Sequence, residues 1–271
     1  NLSVENAENT SIDSVVYYSN NEKLGTATNN KTLNFKLEKL QFGVQDIKAV
    51  VFYEGKNVEC LTSFEIVSNI TPKLYETKDY TILNTFKHDT TAYTQGLEFY
   101  KGILLEGTGQ NGESTLRKTD YKTGKVSKSV PLSPDYFGEG ITVFNGKIYQ
   151  LTWQNKIGFI YNAETLAQEK TFNYFADIEG WGLTHNNKHL IMSDGTNKIY
   201  FLNPETQKME RSINVYSDTN AITELNELEW IEGKIWANIY QKNAVVIINP
   251  ENGAVEAVIN FADLDAEIEN K

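Results

Sequence analysis

One carboxylate in this sequence has surroundings that suit proton-transfer chemistry. Glu139 lies between Gly138 and Gly140, and Phe137 precedes it by two residues. Flanking glycines carry no side chains and let the backbone bend. A carboxylate among aromatic rings is poorly solvated, which favours its protonated form and suits a general acid or base. The plainer interpretation is a turn glutamate at the start of an ordinary strand, and this stretch alone favours it, because charged turn residues are common.

The composition indicates a globular chain built mainly of sheets. Of the 271 residues 12% are aromatic and only 5 are proline, a usage typical of β-strands. The net charge of -11 argues against a nucleic-acid partner, which would require a basic patch. A single cysteine, Cys60, excludes an intrachain disulfide. The sequence has no apolar run of 18 residues, so it predicts no transmembrane segment.

Residues 1–75 are expected to form a small module of their own. Short apolar or alternating runs at 14–18, 33–37, 47–53 and 64–67 are separated by polar turns. Several short strands at such spacing predict a small immunoglobulin-like β-sandwich. No catalytic group of residues occurs in this part, so we interpret it as an interaction or spacer module.

The chain becomes repetitive from about residue 79. Four segments share a pattern of two strands, a loop, a third strand, an Asn/Asp-rich turn and a fourth strand. Their starting points are spaced 42 to 45 residues apart, at Gly96, Gly140, Gly182 and Glu227. A period of about 40–50 residues with four strands per unit is the signature of a β-propeller. Residues 76–271 are therefore predicted to form a β-propeller domain in an all-β protein.

A propeller brings the starts of its repeats together at one mouth of a central channel. Residues at or beside these starts, and at the ends of two second strands, are expected to meet there: Gln95, Glu139, Trp181, Asn226, Trp153 and Tyr240. Such a set gives an aromatic wall with a few convergent polar groups, which is typical of a ligand pocket. Taken by themselves, Trp153, Trp181 and Trp236 fit a role in blade packing better than a role in the pocket, because propellers use periodic aromatic residues structurally, and for Trp236 that interpretation is kept.

Several motifs in order along the chain resemble the plant and bacterial type of glutaminyl cyclotransferase, the glutamine cyclotransferase family. They include Thr-Gln-Gly-Leu at 94–97, Phe-Gly-Glu-Gly at 137–140, Leu-Thr-Trp at 151–153, Glu-Gly-Trp-Gly-Leu at 179–183 and Asn-Glu-Leu-Glu-Trp at 226–230. The resemblance covers roughly residues 79–262. It implies a five-bladed β-propeller and an acyltransferase that converts the N-terminal glutamine of peptides or proteins to pyroglutamate. Ammonia is released, and neither a metal nor another cofactor is implied.

The resemblance also implies roles for individual residues. Glu139 corresponds to the essential general acid/base. The implied substrate-binding residues are Tyr93, Gln95, Phe137, Trp153, Trp181, Asn226 and Tyr240. Tyr93 replaces the usual phenylalanine and Tyr240 the tryptophan of a plant-type enzyme, so the wall stays aromatic. The three histidines have no metal-ligand spacing.

The C-terminus departs from the family pattern. Only four full repeats are present, and the lysine that belongs to the family's fifth repeat has no counterpart at Lys271. We therefore expect a fifth blade that is incomplete in this sequence, with a C-terminal segment omitted. Closure is expected through pairing of residues 81–86 with the last blade, because an open propeller would leave exposed sheet edges.

The alternative to an enzyme is a non-enzymatic propeller that binds peptides or another partner, since the propeller fold alone does not determine function. A buried carboxylate opposite amide side chains favours the enzyme. The expected protein is a monomer that acts on peptides with N-terminal glutamine. By analogy with other chains of this composition we expect an exported protein, either periplasmic, secreted or lipid-anchored at the bacterial cell surface.

Overall fold

The computed structural model describes residues 1–7 and 9–264, and its regular structure there consists almost entirely of β-strands. The chain divides into two compact units, Asn1–Val67 and a second unit that begins at Ser68. The division falls eight residues before the boundary predicted between 75 and 76. No helix in the described part of the chain is long and apolar enough to cross a bilayer.

The first unit contains one antiparallel sheet with the strand order β2-β1-β3-β4. Its strands are β1 Ser14–Ser19, β2 Glu22–Thr28, β3 Gly43–Tyr53 and β4 Lys56–Ile66. Val15 and Tyr17 of β1 are buried with Val51 of β3, because alternate side chains of a strand share one face. No second sheet is assigned among the described residues of this unit, so the immunoglobulin-like sandwich stays a prediction.

The strand predicted at residues 33–37 does not form. Leu33 makes an isolated bridge to Leu2, and Leu37–Lys39 is a short 3-10 helix. The side chain of Leu33 packs against Gly25, where an added Cβ would lie 3.0 Å from the Leu33 Cδ1 atom. The alternating pattern was therefore misleading, since a strand also requires a neighbouring strand for its backbone groups, and in this segment Leu33 alone bridges to another extended segment.

Within the described residues, the second unit contains four antiparallel sheets, each built from four consecutive strands. Sheet I contains β6 Thr94–Tyr100, β7 Ile103–Thr108, β8 Thr115–Asp120 and β9 Lys125–Pro131. Sheet II contains β10 Gly138–Phe144, β11 Lys147–Thr152, β12 Ile157–Asn162 and β13 Gln168–Asn173. Sheet III contains β14 Leu183–His185, β15 Leu190–Ser193, β16 Lys198–Leu202 and β17 Met209–Asn214. Sheet IV contains β18 Leu225–Ile231, β19 Lys234–Ile239, β20 Ala244–Ile248 and β21 Val255–Asn260, and β5 Lys73–Tyr75 adds to its edge.

The first strands of the four sheets contact one another in chain order, which gives a propeller-like arrangement. Glycine makes this close approach possible. An added Cβ would lie 2.6 Å from the backbone of the following sheet at both Gly96 and Gly140, and at Gly182 it would overlap the backbone of Asn226. Side chains at these positions would force the inner strands apart.

Turn chemistry accounts for the regularity of the repeats. Asn145 and Gly146 have φ values of 50° and 75°, the left-handed geometry of a tight hairpin turn, and they connect β10 to β11 as predicted. Asn162 and Asn203 stand at the repeated second turn. The side-chain oxygen of each accepts hydrogen bonds from the backbone N–H groups two and three residues later, which fixes a local turn wherever this residue type recurs.

The last sheet is extended by a different segment from the one predicted. Residues 81–86 form no strand, and Leu83 among them is 85% exposed. Instead, β5 pairs in parallel with β21, with Lys73 opposite Ala257 and Tyr75 opposite Ile259. The prediction of closure through 81–86 was thus wrong about the segment. The end of the sequence, where the incomplete fifth blade was expected, lies outside the described residues from 265 onward.

Candidate active site

Glu139 is a buried carboxyl group near the start of β10, with 4% of its surface exposed. The Nε2 atom of Gln95 donates a hydrogen bond to its Oε2 atom over 2.6 Å. Burial raises the pKa of Glu139 to about 9; the hydrogen bond from Gln95 opposes the rise, and the negative charge of Glu179 adds to it. Glu139 is therefore neutral at pH 7. Because Oε2 accepts from Gln95, the proton is placed on Oε1, where it is available for donation.

Glu139 lies in a cavity of about 250 Å³. The lining consists of all eight residues singled out in the sequence: Tyr93, Gln95, Phe137, Glu139, Trp153, Trp181, Asn226 and Tyr240. Each stands within two residues of the beginning of a first strand, or directly after the end of a second strand. These positions meet because the first two strands of a sheet are antiparallel, so that the start of one lies beside the end of the other.

Two groups of aromatic rings form the cavity wall. In the first, the long arc, Phe137 contacts Tyr93 at a centroid distance of 5.9 Å and Trp153 at 5.7 Å. In the second, the short arc, Trp181 and Tyr240 lie 5.4 Å apart. All three contacts have the edge-to-face geometry that aromatic pairs prefer. Tyr93 and Tyr240 are 45% and 39% exposed, so each arc ends in a partly exposed tyrosine.

Two glycines leave the space that two of the aromatic rings occupy. A Cβ atom at Gly109 would overlap the ring of Phe137, and one at Gly195 would lie 2.6 Å from the Cε2 atom of Trp181. Gly195 also has a φ of 78°, a left-handed conformation that favours glycine. The positions of Phe137 and Trp181 therefore depend on residues that lack side chains.

Glu179 is a residue that the sequence analysis did not assign to the site. Its Oε2 atom accepts hydrogen bonds from the indole nitrogens of Trp153 at 2.7 Å and Trp181 at 2.9 Å, and its Oε1 atom accepts from Gln154 at 3.1 Å. Burial raises the pKa of Glu179, but these hydrogen bonds more than offset it and leave the pKa below its ordinary value. The available signal was the sequence Glu-Gly-Trp-Gly at 179–182, which sets a second carboxylate beside glycines and a wall residue.

Asp194 and Trp236 are not among the residues that line the cavity. Asp194 is buried and accepts hydrogen bonds from Tyr200 at 2.8 Å and from Thr196. Trp236 lies within β19, where it is half-buried. No group of three or more His, Cys, Asp or Glu side chains in the described residues is arranged to hold a metal ion.

The cavity suits a small, uncharged polar group. It is smaller than pockets for drug-sized ligands, which enclose about 300–1,000 Å³. A carboxyl group that carries a proton at pH 7 stands beside the amide side chain of Gln95, and the amide of Asn226 is on the same wall. Aromatic rings make up the rest of the lining, and surroundings of low polarity strengthen hydrogen bonds to a bound group. The arrangement can bind one amino-acid side chain and transfer a proton to it.

Comparisons with known proteins agree on one family. The family model described as glutamine cyclotransferase matches residues 57–271. A glutaminyl-peptide cyclotransferase of Arabidopsis thaliana is 37% identical over 176 residues, which are 64% of this chain and 54% of that protein, so the chain spans about half the length of this relative. The crystal structure of Myxococcus xanthus glutaminyl cyclase aligns with a TM-score of 0.67 and 29% identity, over 74% of this chain and 83% of that one. Because the family model covers most of the chain and every residue of the cavity wall, the chain belongs to the glutamine cyclotransferase family.

Proposed function

We propose that this protein is a glutaminyl-peptide cyclotransferase, which converts the N-terminal glutamine of peptides or proteins to pyroglutamate and releases ammonia. One observation carries the proposal: the protonated, buried Glu139 beside Gln95 in an aromatic cavity that accommodates a single side chain. Membership of the family supports the same reaction and disfavours the alternative of a propeller that only binds a partner.

The reaction is an intramolecular acyl transfer. The neutral α-amine of the substrate attacks its own γ-carboxamide carbon, so a C–N bond forms and closes a five-membered lactam. The bond from that carbon to the amide nitrogen breaks, and this nitrogen leaves as ammonia. One proton must move from the attacking amine to the leaving nitrogen. Glu139 donates its proton to the leaving nitrogen and regains one from the amine, so that the carboxyl group is unchanged after each turnover.

The remaining wall residues hold the substrate in the attacking conformation. Gln95 and Asn226 hydrogen-bond the carboxamide and the backbone of the substrate and polarise the reacting carbonyl. The aromatic side chains of Phe137, Trp153, Trp181, Tyr93 and Tyr240 restrict the flexible glutamine side chain. Restriction of this kind raises the effective concentration of the amine at the carbon that it attacks.

A five-bladed propeller with an incomplete fifth blade is the fold that we propose for the second unit. Leu97 and Phe99 of sheet I are 39% and 59% exposed, and they line one apolar groove with Phe86. An exposed apolar groove of this kind marks an interaction site, and we assign it to the neighbouring blade. A crystal structure in which sheets I and IV close the ring without a further sheet would contradict five blades.

The rest of the organisation follows from the same proposal. The module predicted over residues 1–75 acts as an immunoglobulin-like interaction or spacer module, and the domain predicted over residues 76–271 as the cyclotransferase domain, with the structural division between them at Val67 and Ser68. We propose a monomer that is exported to the periplasm, secreted or lipid-anchored at the bacterial surface. Cell fractionation and the mass of the protein in solution test these two points.

An ammonia-release assay with a Gln-initiated dipeptide tests the activity. The dipeptide is incubated with the chain, and a parallel sample contains a chelator. We expect release in both samples, pyroglutamate in the product by mass spectrometry, and no release from a dipeptide whose α-amine is acetylated. Glu139→Gln should lower kcat by about 10²–10⁴, the usual contribution of general acid–base catalysis. A Glu139→Gln variant with the wild-type rate would refute the assignment of Glu139.

A further inference from the structure

The carboxylate of Glu179 connects the two arcs of the cavity wall through a single atom. Its Oε2 accepts the indole N–H of Trp153, at the end of the long arc, and that of Trp181, in the short arc. An indole N–H can only donate, so each ring needs an acceptor in a fixed direction. Because one oxygen serves both rings, the orientation of each indole is tied to that of the other.

Glu179 is absent from the residues that line the cavity. Any effect that it has on a bound substrate must therefore pass through other side chains. Two of those side chains are wall residues, and a third, Gln154, holds the opposite oxygen at 3.1 Å. With donors on both oxygens, the carboxylate has little freedom to rotate, which makes it a rigid support for the two rings.

We propose that Glu179 is a positioning residue of this site, which orients both indole rings of the cavity wall through one oxygen. The inference rests on the cyclotransferase function proposed above and adds a residue to it. Two different readouts follow from it, one for the geometry of the wall and one for the charge.

The electrostatics of the two carboxyl groups support this division of roles. Hydrogen bonds hold the pKa of Glu179 below its ordinary value in spite of partial burial, so it is an anion at neutral pH. Its charge is one of the influences that raise the pKa of Glu139, after burial itself. The surroundings thus move the pKa values of the two carboxyl groups in opposite directions. Pairs of this kind commonly divide their roles, with one group protonated and the other ionised.

Two substitutions at Glu179 separate the geometric role from the electrostatic one. Glu179→Gln keeps an oxygen that accepts from both indoles but removes the charge. We expect it to move the titration of Glu139 to lower pH while KM stays within about threefold of wild type, a change below 1 kcal/mol. Glu179→Ala leaves two indole N–H groups without their acceptor, and we expect KM to rise about tenfold or more. The near-UV circular dichroism of the tryptophans should change in Glu179→Ala and much less in Glu179→Gln.

Glu256→Gln is the matched control. Glu256 is also a partly buried carboxylate with two donors, since it accepts from Lys234 at 2.7 Å and Asn249 at 2.9 Å, but it lies on β21 outside the cavity lining. We expect the control to leave KM, the titration of Glu139 and the tryptophan signal unchanged. A general loss of stability would affect this variant as well as those at Glu179.

The titration of Glu139 is read by carboxyl-carbon NMR, which needs no turnover. If wild type releases no ammonia but the tryptophan circular dichroism changes in Glu179→Ala and stays near wild type in Glu179→Gln, the proposed function fails and the positioning role holds. A wild-type tryptophan signal in Glu179→Ala, with an unchanged KM where turnover is measurable, overturns the positioning role, and an unshifted Glu139 titration in Glu179→Gln rejects the contribution of the Glu179 charge. Should Glu179→Ala not fold, Glu179→Asp takes its place, because the shorter side chain cannot accept from both indoles in the same geometry, and a wild-type tryptophan signal in that variant rejects the proposal.

Discussion

Replacing Glu139 by glutamine should make the second unit more stable at neutral pH although it slows the proposed reaction. The reason is the difference in ionisation between the folded and unfolded chain. The pKa of Glu139 is raised from 4.5 to about 9 by burial in the folded protein. Between these two values the unfolded chain loses the proton and the folded chain keeps it, so stability falls as the pH rises. Glutamine has no proton to lose, and its side-chain oxygen can still accept from Gln95.

The size of the effect follows from the two pKa values. At pH 7 the gap above the ordinary pKa of 4.5 is roughly 2.5 pH units, and at about 1.36 kcal/mol per unit Glu139→Gln gains about 3 kcal/mol. For a unit of this size each kcal/mol added to the free energy of unfolding raises the melting temperature by about 2–4 °C, so the melting temperature should rise by about 6–12 °C. Below pH 4.5 the carboxyl group is protonated in both states, and the two proteins should melt together.

Thermal unfolding of wild type and Glu139→Gln, followed by tryptophan fluorescence at pH 4, 7 and 8.5, measures this directly. The difference in melting temperature should be near zero at pH 4 and grow steadily with pH. The control is Glu256→Gln. Lys234 lowers the pKa of Glu256 in the folded protein, so this substitution should bring no gain in stability at the higher pH values. A difference in melting temperature between Glu139→Gln and wild type that is the same at every pH, or a loss of stability at pH 7, would refute the argument that burial keeps Glu139 protonated.

Three further outcomes are expected. The kcat/KM of the cyclisation should rise with pH as the substrate α-amine loses its proton, near a pKa of about 8. It should fall again as Glu139 ionises, near its pKa of about 9, so that a plot of kcat/KM against pH is a narrow bell. A flat profile up to pH 10 would contradict the role of Glu139. Gly195→Ala should raise KM and lower stability by about 1 kcal/mol or more, because it strains a left-handed residue and displaces Trp181. The control is Gly146→Ala, at a left-handed turn glycine with open space around it. If both variants lose stability but only Gly195→Ala raises KM, the displacement of the Trp181 ring accounts for the effect on KM. Gly182→Ala should destabilise the fold by about 1–3 kcal/mol, because its Cβ overlaps the backbone of the next sheet, and chemical denaturation that shows no loss would disprove the close packing of the inner strands.

The positions of the wall residues could be predicted because the repeats are regular. Once Gly96, Gly140 and Gly182 are recognised as equivalent positions, the residues beside them must meet at one end of the sheets. The turns at Asn145-Gly146 and Asn162 are equally local, since their geometry is determined by the residues themselves. Repetition and local turn chemistry thus carry the fold and the grouping of the wall residues.

The features that sequence reasoning missed depend on partners far away in the chain. The strand β5 has only three residues and is defined by its pairing with β21, which leaves no pattern within residues 73–75. Residues 33–37 show the reverse case, a strand-like alternation that finds almost no partner. Glu179 was overlooked because its importance comes from two indole nitrogens, one of them 26 residues earlier, and not from its place in the repeat.

The pairing of β5 with β21 also bears on how the molecule assembles. It joins Lys73 to Ala257, about 180 residues apart, and closing a loop of that length costs about 5 kcal/mol of chain entropy before any contact compensates for it. We therefore expect this junction to form late in folding and to open first, which protection of the Ala257–Ile259 amides from hydrogen exchange would measure. Sheet IV supplies Asn226 and Tyr240 to the cavity wall, while Glu139 comes from sheet II. We therefore expect a substrate that contacts both sheets to bind only the fully assembled chain, and at saturating concentration to stabilise the pairing of sheet IV with the other sheets against opening.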